Sequence, residues 1–132
     1  MSAYKNIQCS FKNKDILIEC LKEIGYNPVV YKEKTNLTGY RGDSRDQAAE
    51  IIVPRTQISS VSNDLGFSFN EEDNEYTMLC SEYDLHKGLA DKVKQSYAIV
   101  AIRKALSKNK FSINTESKDK NKTVTIIAGK II

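Results

Sequence analysis

Leu65-Gly66-Phe67-Ser68-Phe69-Asn70-Glu71-Glu72-Asp73-Asn74-Glu75-Tyr76-Thr77-Met78-Leu79-Cys80 is the stretch that decides the fold. Leu65, Phe67 and Phe69 alternate with smaller residues, so one face of a strand is buried. Glu71-Glu72-Asp73-Asn74 is acidic and turn-forming, which suits a hairpin tip. Tyr76 to Cys80 then returns as the partner strand. A hairpin at the centre of the chain favours an antiparallel sheet.

Downstream, Asp84 is expected to cap a long second helix running from about Leu85 to Lys108, because its side chain can accept from the free amides of a first turn. Leu89, Val93, Tyr97 and Val100 lie along one stripe, and Ile99, Ile102 and Leu106 widen it. A stripe that broad packs across a sheet. Phe111 to Thr115 and Thr123 to Ala128 form a last hairpin with a lysine-rich tip. Upstream, Ser62-Asn63-Asp64 signals a tight turn. Ala48 to Val53 is a β-rich strand stopped by Pro54. The polar stretch from Thr38 to Gln47 carries two glycines and reads as a loop or extended arm with special backbone angles. Pro28 to Tyr31 is a second strand. Before it, Leu17, Cys20, Leu21 and Ile24 recur at helical spacing, with Asn13 placed to cap that helix and Gly25 to end it. Tyr4 to Cys9 is the first strand.

The order is β-α-β-β-β-β-α-β-β. It predicts one α+β domain over residues 1–132, a two-layer sandwich whose mostly antiparallel sheet carries two helices on one face. The length of 132 residues fits one core. Apolar residues make up 40% and charged residues 28%, an ordinary globular mix. No apolar run approaches the length needed to span a bilayer, and no signal-peptide core is visible at the N-terminus.

The three cysteines, Cys9, Cys20 and Cys80, are widely spaced and odd in number, so they are no disulfide framework. They read as small hydrophobes. His86 is the single histidine, in the first turn of the second helix, and no C-x-x-C pair exists, so no metal site and no cofactor is expected. Gly39 and Gly42 lead into a strand rather than a helix N-terminus, which rules out a phosphate-binding loop.

Three sets of residues carry the functional readings. The first is the polar cluster Tyr40, Arg41, Asp43, Arg45 and Gln47 with the turn residues Asn63 and Asp64 and, beside them, Tyr83 and Asp84. It reads as a protein-recognition surface anchored by the arginines, which dominate binding hot spots. The competing reading is a loop whose arginines pair with their own aspartates. The second set is basic. Residues 64–91 hold eight acidic groups and one lysine, whereas residues 92–132 hold ten basic and two acidic groups. Lys92, Lys94, Arg103, Lys104, Lys108 and Lys110 read either as an RNA-binding stripe or as a solvated helix face. The net charge of +3 and the preponderance of lysine favour the latter. The third set is Asp64, Glu82 and Asp84, a carboxylate site if they converge in a pocket, or else a turn residue and a helix cap.

Gly39-Tyr40-Arg41-Gly42-Asp43, Arg45, Gln47 and Ala49-Glu50-Ile51-Ile52-Val53-Pro54 resemble a known family. Ser62-Asn63-Asp64-Leu65-Gly66-Phe67, Ser81-Glu82-Tyr83-Asp84 and Gln95-Ser96-Tyr97-Ala98 extend the resemblance over nearly the whole chain. The chain is similar to the uncharacterised "hypothetical chloroplast reading frame thirty-five" family of algal plastids and cyanobacteria, which has bacterial relatives in a domain of unknown function. The resemblance implies a plastid location, in the soluble stroma or peripheral on the thylakoid, and no established activity. It raises the weight of the first set, as a binding surface for a plastid protein complex. Ser2-Ala3-Tyr4 departs from the Ser-His-Phe start frequent among those relatives, so no scheme can use an N-terminal histidine. Glu82 stands where relatives often carry aspartate.

Overall fold

A computed structural model describes residues 3–108, 113–118 and 124–128. Along the chain come β1 (Tyr4–Phe11), α1 (Lys14–Ile24), β2 (Val29–Thr38), β3 (Ser44–Val53), β4 (Leu65–Asn70) and β5 (Glu75–Ser81). They are followed by α2 (Glu82–His86), α3 (Leu89–Lys108), β6 (Ile113–Lys118) and β7 (Val124–Ala128). A single 3-10 turn, Arg55–Gln57, follows β3. Strands β1 to β5 form one antiparallel sheet in the order β1-β5-β4-β3-β2, while β6 and β7 pair with each other. The architecture is the expected α+β sandwich.

The helices cover one face of the sheet. Ile51, Val53, Leu65, Phe67, Met78 and Cys80 meet Leu17, Cys20 and Leu21 of α1 and Leu89, Val93 and Val100 of α3. Asn13 caps α1, its Oδ1 accepting from Ile16 N at 3.0 Å, and Gly25 ends it at φ 112°. The Tyr97 hydroxyl of α3 accepts from the amides of Lys12 and Asn13 at 3.2 and 3.0 Å, so the two helices share one capping arrangement.

Several boundaries differ from the sequence reading. The expected second helix is two helices, because Gly88 takes φ 82° and turns the chain between α2 and α3. Its N-cap is Ser81 rather than Asp84: Ser81 Oγ accepts from Asp84 N at 3.2 Å and donates to Asp84 Oδ2 at 3.0 Å. A serine followed three residues later by a carboxylate is a capping-box pattern. The stretch expected as a loop or extended arm from Thr38 to Gln47 is both: Thr38 ends β2 and residues 44–47 open β3, with a turn at residues 39–43 between them.

The second face of the sheet is partly closed by the chain itself. Thr38 pairs with Ser44, nine residues before Val53, and Val53 pairs with Leu65. A straight β3 would hold Thr38 and Asp64 about 30 Å apart, at roughly 3.3 Å per residue. Instead Thr38 N lies 2.8 Å from Asp64 Oδ2, and Asp64 N lies 2.9 Å from Thr38 O. The hairpin therefore folds back. The bend coincides with a slip in pairing, where Val30 to Thr35 on β2 spans only Ile51 to Ala49 on β3. The returned flap lays Leu37 on Gly66, where an added Cβ would sit 3.0 Å from both Leu37 methyls. Leu37, Ala49, Ile52 and Leu79 form a second buried cluster there, with Tyr4 packed against it.

Two non-glycine residues among those described take positive φ: Asn74, at 56° in the β4–β5 turn, is of a type that tolerates it, and Ser10 is not. Ser10 takes φ 58° in a bulge of β1, where Gln8 pairs with Thr77 but Phe11 pairs with Tyr76. The bulge carries Phe11 into the core at 1% exposure. The left-handed conformation costs a non-glycine residue about 1 kcal/mol. Ser10→Gly is accordingly expected to raise stability by about 0.5 kcal/mol once the greater freedom of glycine in the unfolded chain is subtracted. A urea midpoint at or below wild type would contradict this.

Burial also fixes the cysteine chemistry. It pushes the thiols of Cys20 and Cys80 up to about 12, and raises that of half-buried Cys9. At pH 8 the two buried thiols are therefore held in the neutral form, and the thiolate is the reactive form. Ellman's reagent at pH 8 is expected to label Cys9 first, and all three only in denaturant. Rapid labelling of two or more thiols in the folded protein would refute the buried placement.

Candidate functional site

The turn at 39–43, the segment 55–64 and α2 meet at one end of the sheet. Its base is buried. Ser62 and Asn63 are fully buried, Asp64 is 8% exposed and Asp84 3%. Asp64 accepts Thr38 N at 2.8 Å on Oδ2 and Arg55 N at 2.7 Å on Oδ1. Asn63 Oδ1 accepts Tyr40 N at 2.9 Å. Ser62 Oγ donates to Asp84 Oδ1 at 2.7 Å, and Asp84 Oδ2 is taken by Ser81. Among the described residues no buried side-chain polar atom lacks a partner.

Arg55 ties the segments together. Its Nε donates to Ser62 O at 3.1 Å, and its Nη2 donates to Tyr40 O at 2.7 Å and Ser60 O at 3.1 Å. The fork of a guanidinium suits several carbonyls at once. From the first strand, Tyr4 donates its hydroxyl to Asp64 O at 2.6 Å, and Arg45 of the flap lies 5.5 Å above its ring. Burial raises the Tyr4 phenol well above its ordinary pKa. The flap is thus latched to both the segment 55–64 and β1.

The outer surface of this end is different in character. Arg41 is exposed, its guanidinium 5.3 Å from the Tyr40 ring centroid. Val61 is 46% and Tyr83 37% exposed, two of six exposed large apolar side chains among the described residues, the others being Val29, Val30 and Tyr31 on β2 and Ile102 on α3. Lys87 Nζ stands 5.5 Å over the Tyr83 ring. Exposed aromatic and apolar groups on a fixed base are the ordinary ingredients of a docking surface.

The first set of sequence-predicted residues therefore divides. Tyr40, Arg41, Asp43, Arg45, Asn63, Asp64, Tyr83 and Asp84 gather at this end, and Gln47 lies half-buried farther along β3. Asn63, Asp64 and Asp84 are buried inside the latch and present nothing to a partner. Arg45 is half-buried between Tyr4 and Asp43, whose carboxylate is 3.7 Å away. Arg41 and Tyr83 stand outside. Arg55 and Val61 were not anticipated. A lone arginine in a polar run between two strands is the signal that could have found the first; a single valine among serines gives almost none.

The carboxylates do not converge in an open pocket. Asp64 and Asp84 are committed to separate buried bonds, and Glu82 pairs at the surface with Lys5 at 3.2 Å. Among the described residues no group of three or more histidine, cysteine, aspartate or glutamate residues could hold a metal. An open cleft of about 420 Å³ lies elsewhere, beside the β4–β5 hairpin, and is lined by Asn6, Lys34, Ser68, Asn70 and Thr77 among others.

Half of the basic set is engaged within the fold. Arg103 makes a bidentate contact to Glu23 of α1 at 2.8 and 3.0 Å. Lys104 pairs with Glu19 at 3.4 Å, and Lys92 lies over the Tyr26 ring. Lys94 and Lys108 are exposed. Lys110 and the tip of the last hairpin lie outside the described residues. Among the described residues no helix is long and apolar enough to cross a membrane.

An antiparallel sheet backed by helices, with a polar latch at one end, defines an α+β domain. The chain belongs to the family described as protein of unknown function, DUF1257, whose model matches residues 20–127. The match spans the flap, the segment 55–64 and α2, and excludes Tyr4. No curated protein and no solved structure matches the chain.

Proposed function

We propose that the chain is a non-enzymatic protein-docking module, an assembly or regulatory factor that engages its partner through Arg41, Val61 and Tyr83. The observation that carries this reading is the contrast between the two layers of the site. Beneath, the polar groups of Ser62, Asn63, Asp64 and Asp84 are bonded to one another and to backbone. Above, large apolar and aromatic groups are left in water on segments that the base holds still. Groups fixed before binding lose little conformational freedom when a partner arrives, so more of the contact energy appears as affinity. The resemblance to the plastid and cyanobacterial family, together with a lysine- and asparagine-rich composition, supports a place in the plastid stroma or at the thylakoid surface.

The test is capture by the tagged chain from an organelle lysate, in nuclease-treated and untreated halves. A defined partner retained after nuclease, and lost with the Val61→Asp chain, is the expected result. Arg41→Ala should weaken capture about tenfold, the scale of a peripheral hot-spot residue. Retention that is indifferent to Val61 in a folded variant would remove the reading. Loss of capture with nuclease would instead make RNA the bridge and return attention to Lys94 and Lys108.

A further inference from the structure

We infer that the β2 edge of the sheet is a contact between two copies of this chain, paired antiparallel about Val30. The surface is separate from Arg41, Val61 and Tyr83, and the inference stands without the docking reading. Across the five strands Ile7, Met78, Phe67, Ile51 and Val30 face one another in turn, an apolar row on the helix-covered side. Met78, Phe67 and Ile51 are fully buried, yet the row ends on Val30 at 42% exposure. Val29 and Tyr31 are exposed beside it. Three adjoining apolar side chains on an edge strand make a template for another strand. The opposite edge is of another kind: β1 exposes Lys5, Asn6, Gln8 and Ser10 and is broken by its bulge, both of which resist pairing.

The free main-chain groups follow from one anchor. Asn27 N donates to Gln57 Oε1 at 2.7 Å, and Asn27 O accepts from Gln57 Nε2 at 3.0 Å. Gln57 follows β3 in the chain, so both main-chain groups of Asn27 turn toward the β3 side. Along a strand that direction alternates residue by residue. Val29 therefore turns toward β3, and Pro28 and Val30 turn away. Proline, which has no N–H to leave unpaired, suits the outward position. Val30 then offers both its N–H and its C=O at the edge.

The occupant follows from the way the segment complements itself. Facing residues of an antiparallel pair must both turn toward each other or both away. A two-fold axis at Val30 sets it against Val30 of the other copy, exchanging two hydrogen bonds, and sets each Val29 against the other Tyr31. Such aromatic and β-branched pairs are favourable across strands. Lys32 then faces Pro28, and no like charges meet. An axis at Tyr31 would set Val30 against Lys32 and Val29 against Glu33. An axis at Lys32 would oppose lysine to lysine. An axis at Val29 would set Val30 against Pro28, which has no N–H to give.

The stretch is short, bounded by Pro28 and by the slip in pairing after Val30, so the contact is at the small end of protein interfaces and the dimer is weak. The axis uses the apolar edge of both copies and leaves the polar β1 edges outside, so association closes at two.

Oxidative cross-linking of single substitutions in a Cys9→Ser background tests the pairing. Val30→Cys is expected to link to itself at least about tenfold faster than Val29→Cys or Tyr31→Cys alone, because facing Cα atoms about 5.5 Å apart are within reach of a disulfide. Mixing the Val29→Cys and Tyr31→Cys chains should restore linking. Equal rates for all three alone, or no link from Val30→Cys at the highest soluble concentration, would overturn the inference. Sedimentation of the unsubstituted chain should show a mass that rises with concentration, a rise lost with Val30→Lys and kept with Arg41→Ala. A mass fixed at that of the monomer would also overturn it. Slow exchange of the Val30 amide in the dilute monomer would assign the edge to a segment of the same chain and exclude the second copy. The substituted β2 side chains are exposed, so circular dichroism can verify that the variants fold.

Discussion

Asp64→Ala is expected to lower the unfolding free energy by about 3–5 kcal/mol, the value of two hydrogen bonds to a charged acceptor. The carboxylate receives the backbone amides of Thr38 and Arg55, at 2.8 and 2.7 Å, from a position only 8% exposed. Alanine leaves both amides without an acceptor in a place where water does not replace it, so the cost of desolvation adds to the lost bonds. The effect should reach beyond this residue. The same turn carries Asn63, which holds Tyr40, and Ser62, which holds Asp84. Urea unfolding measures the loss. Amide exchange locates it, with protection expected to fall across the flap from Thr35 to Ala49 before it falls in Phe67 or Met78. A loss under about 1 kcal/mol, the value of an ordinary exposed bond, would mean that the latch is not made in solution.

Leu37→Ala is the second large effect, expected at about 2–5 kcal/mol for a fully buried leucine. Its value as a test lies in geometry. Leu37 stands on β2, an edge strand whose Val29, Val30 and Tyr31 are 40, 42 and 39% exposed. If the hairpin continued straight, Leu37 would be as exposed as these and its truncation nearly neutral. Folded back, it is 0% exposed and rests on Gly66. Val30→Ala on the same strand should cost no more than about 1 kcal/mol. Equal losses at the two positions would refute the fold-back. Gly66→Val tests the same contact from beneath, since its side chain would occupy the space of the Leu37 methyls and lift the flap.

The two substitutions also separate stability from docking. Neither Asp64 nor Leu37 faces outward, so a weakened partner interaction in these variants should track the loss of flap protection. Arg41, Val61 and Tyr83 should behave in the opposite way, changing capture with stability kept within about 0.5 kcal/mol of wild type.

Much of the architecture was legible along the chain. The alternation Leu65, Phe67, Phe69 gave the central hairpin, and the stripe Leu89, Val93, Val100 gave the long helix, because both follow from the period of a regular element burying one face. Asn13 and Gly25 were readable as caps because a cap bonds only to its own first or last turn. Those features are local: every contact they need lies within a few residues. Gly88 was equally local, and was missed because its neighbours Leu85 and Leu89 continue the apolar period across it.

The candidate site was legible only in part. Sequence reading brought Tyr40, Arg41, Asn63, Asp64, Tyr83 and Asp84 together as one polar group, yet their roles depend on contacts between distant segments. Whether Asp64 faces solvent or receives Thr38 turns on a bend in β2 and β3 that no period announces. Whether Arg45 is an anchor or a latch turns on Tyr4, which precedes it by 41 residues and meets it only across the folded sheet. By itself, then, the sequence determined the order and kind of the elements, their caps and the helix-covered core, since those rest on neighbours in the chain. Only the tertiary structure decided that the hairpin closes part of the second face, and that the polar motifs lie beneath the surface with Arg41, Val61 and Tyr83 above. The physical reason is that backbone amides buried by a fold-back must find acceptors, and here they find them in side chains far away along the chain.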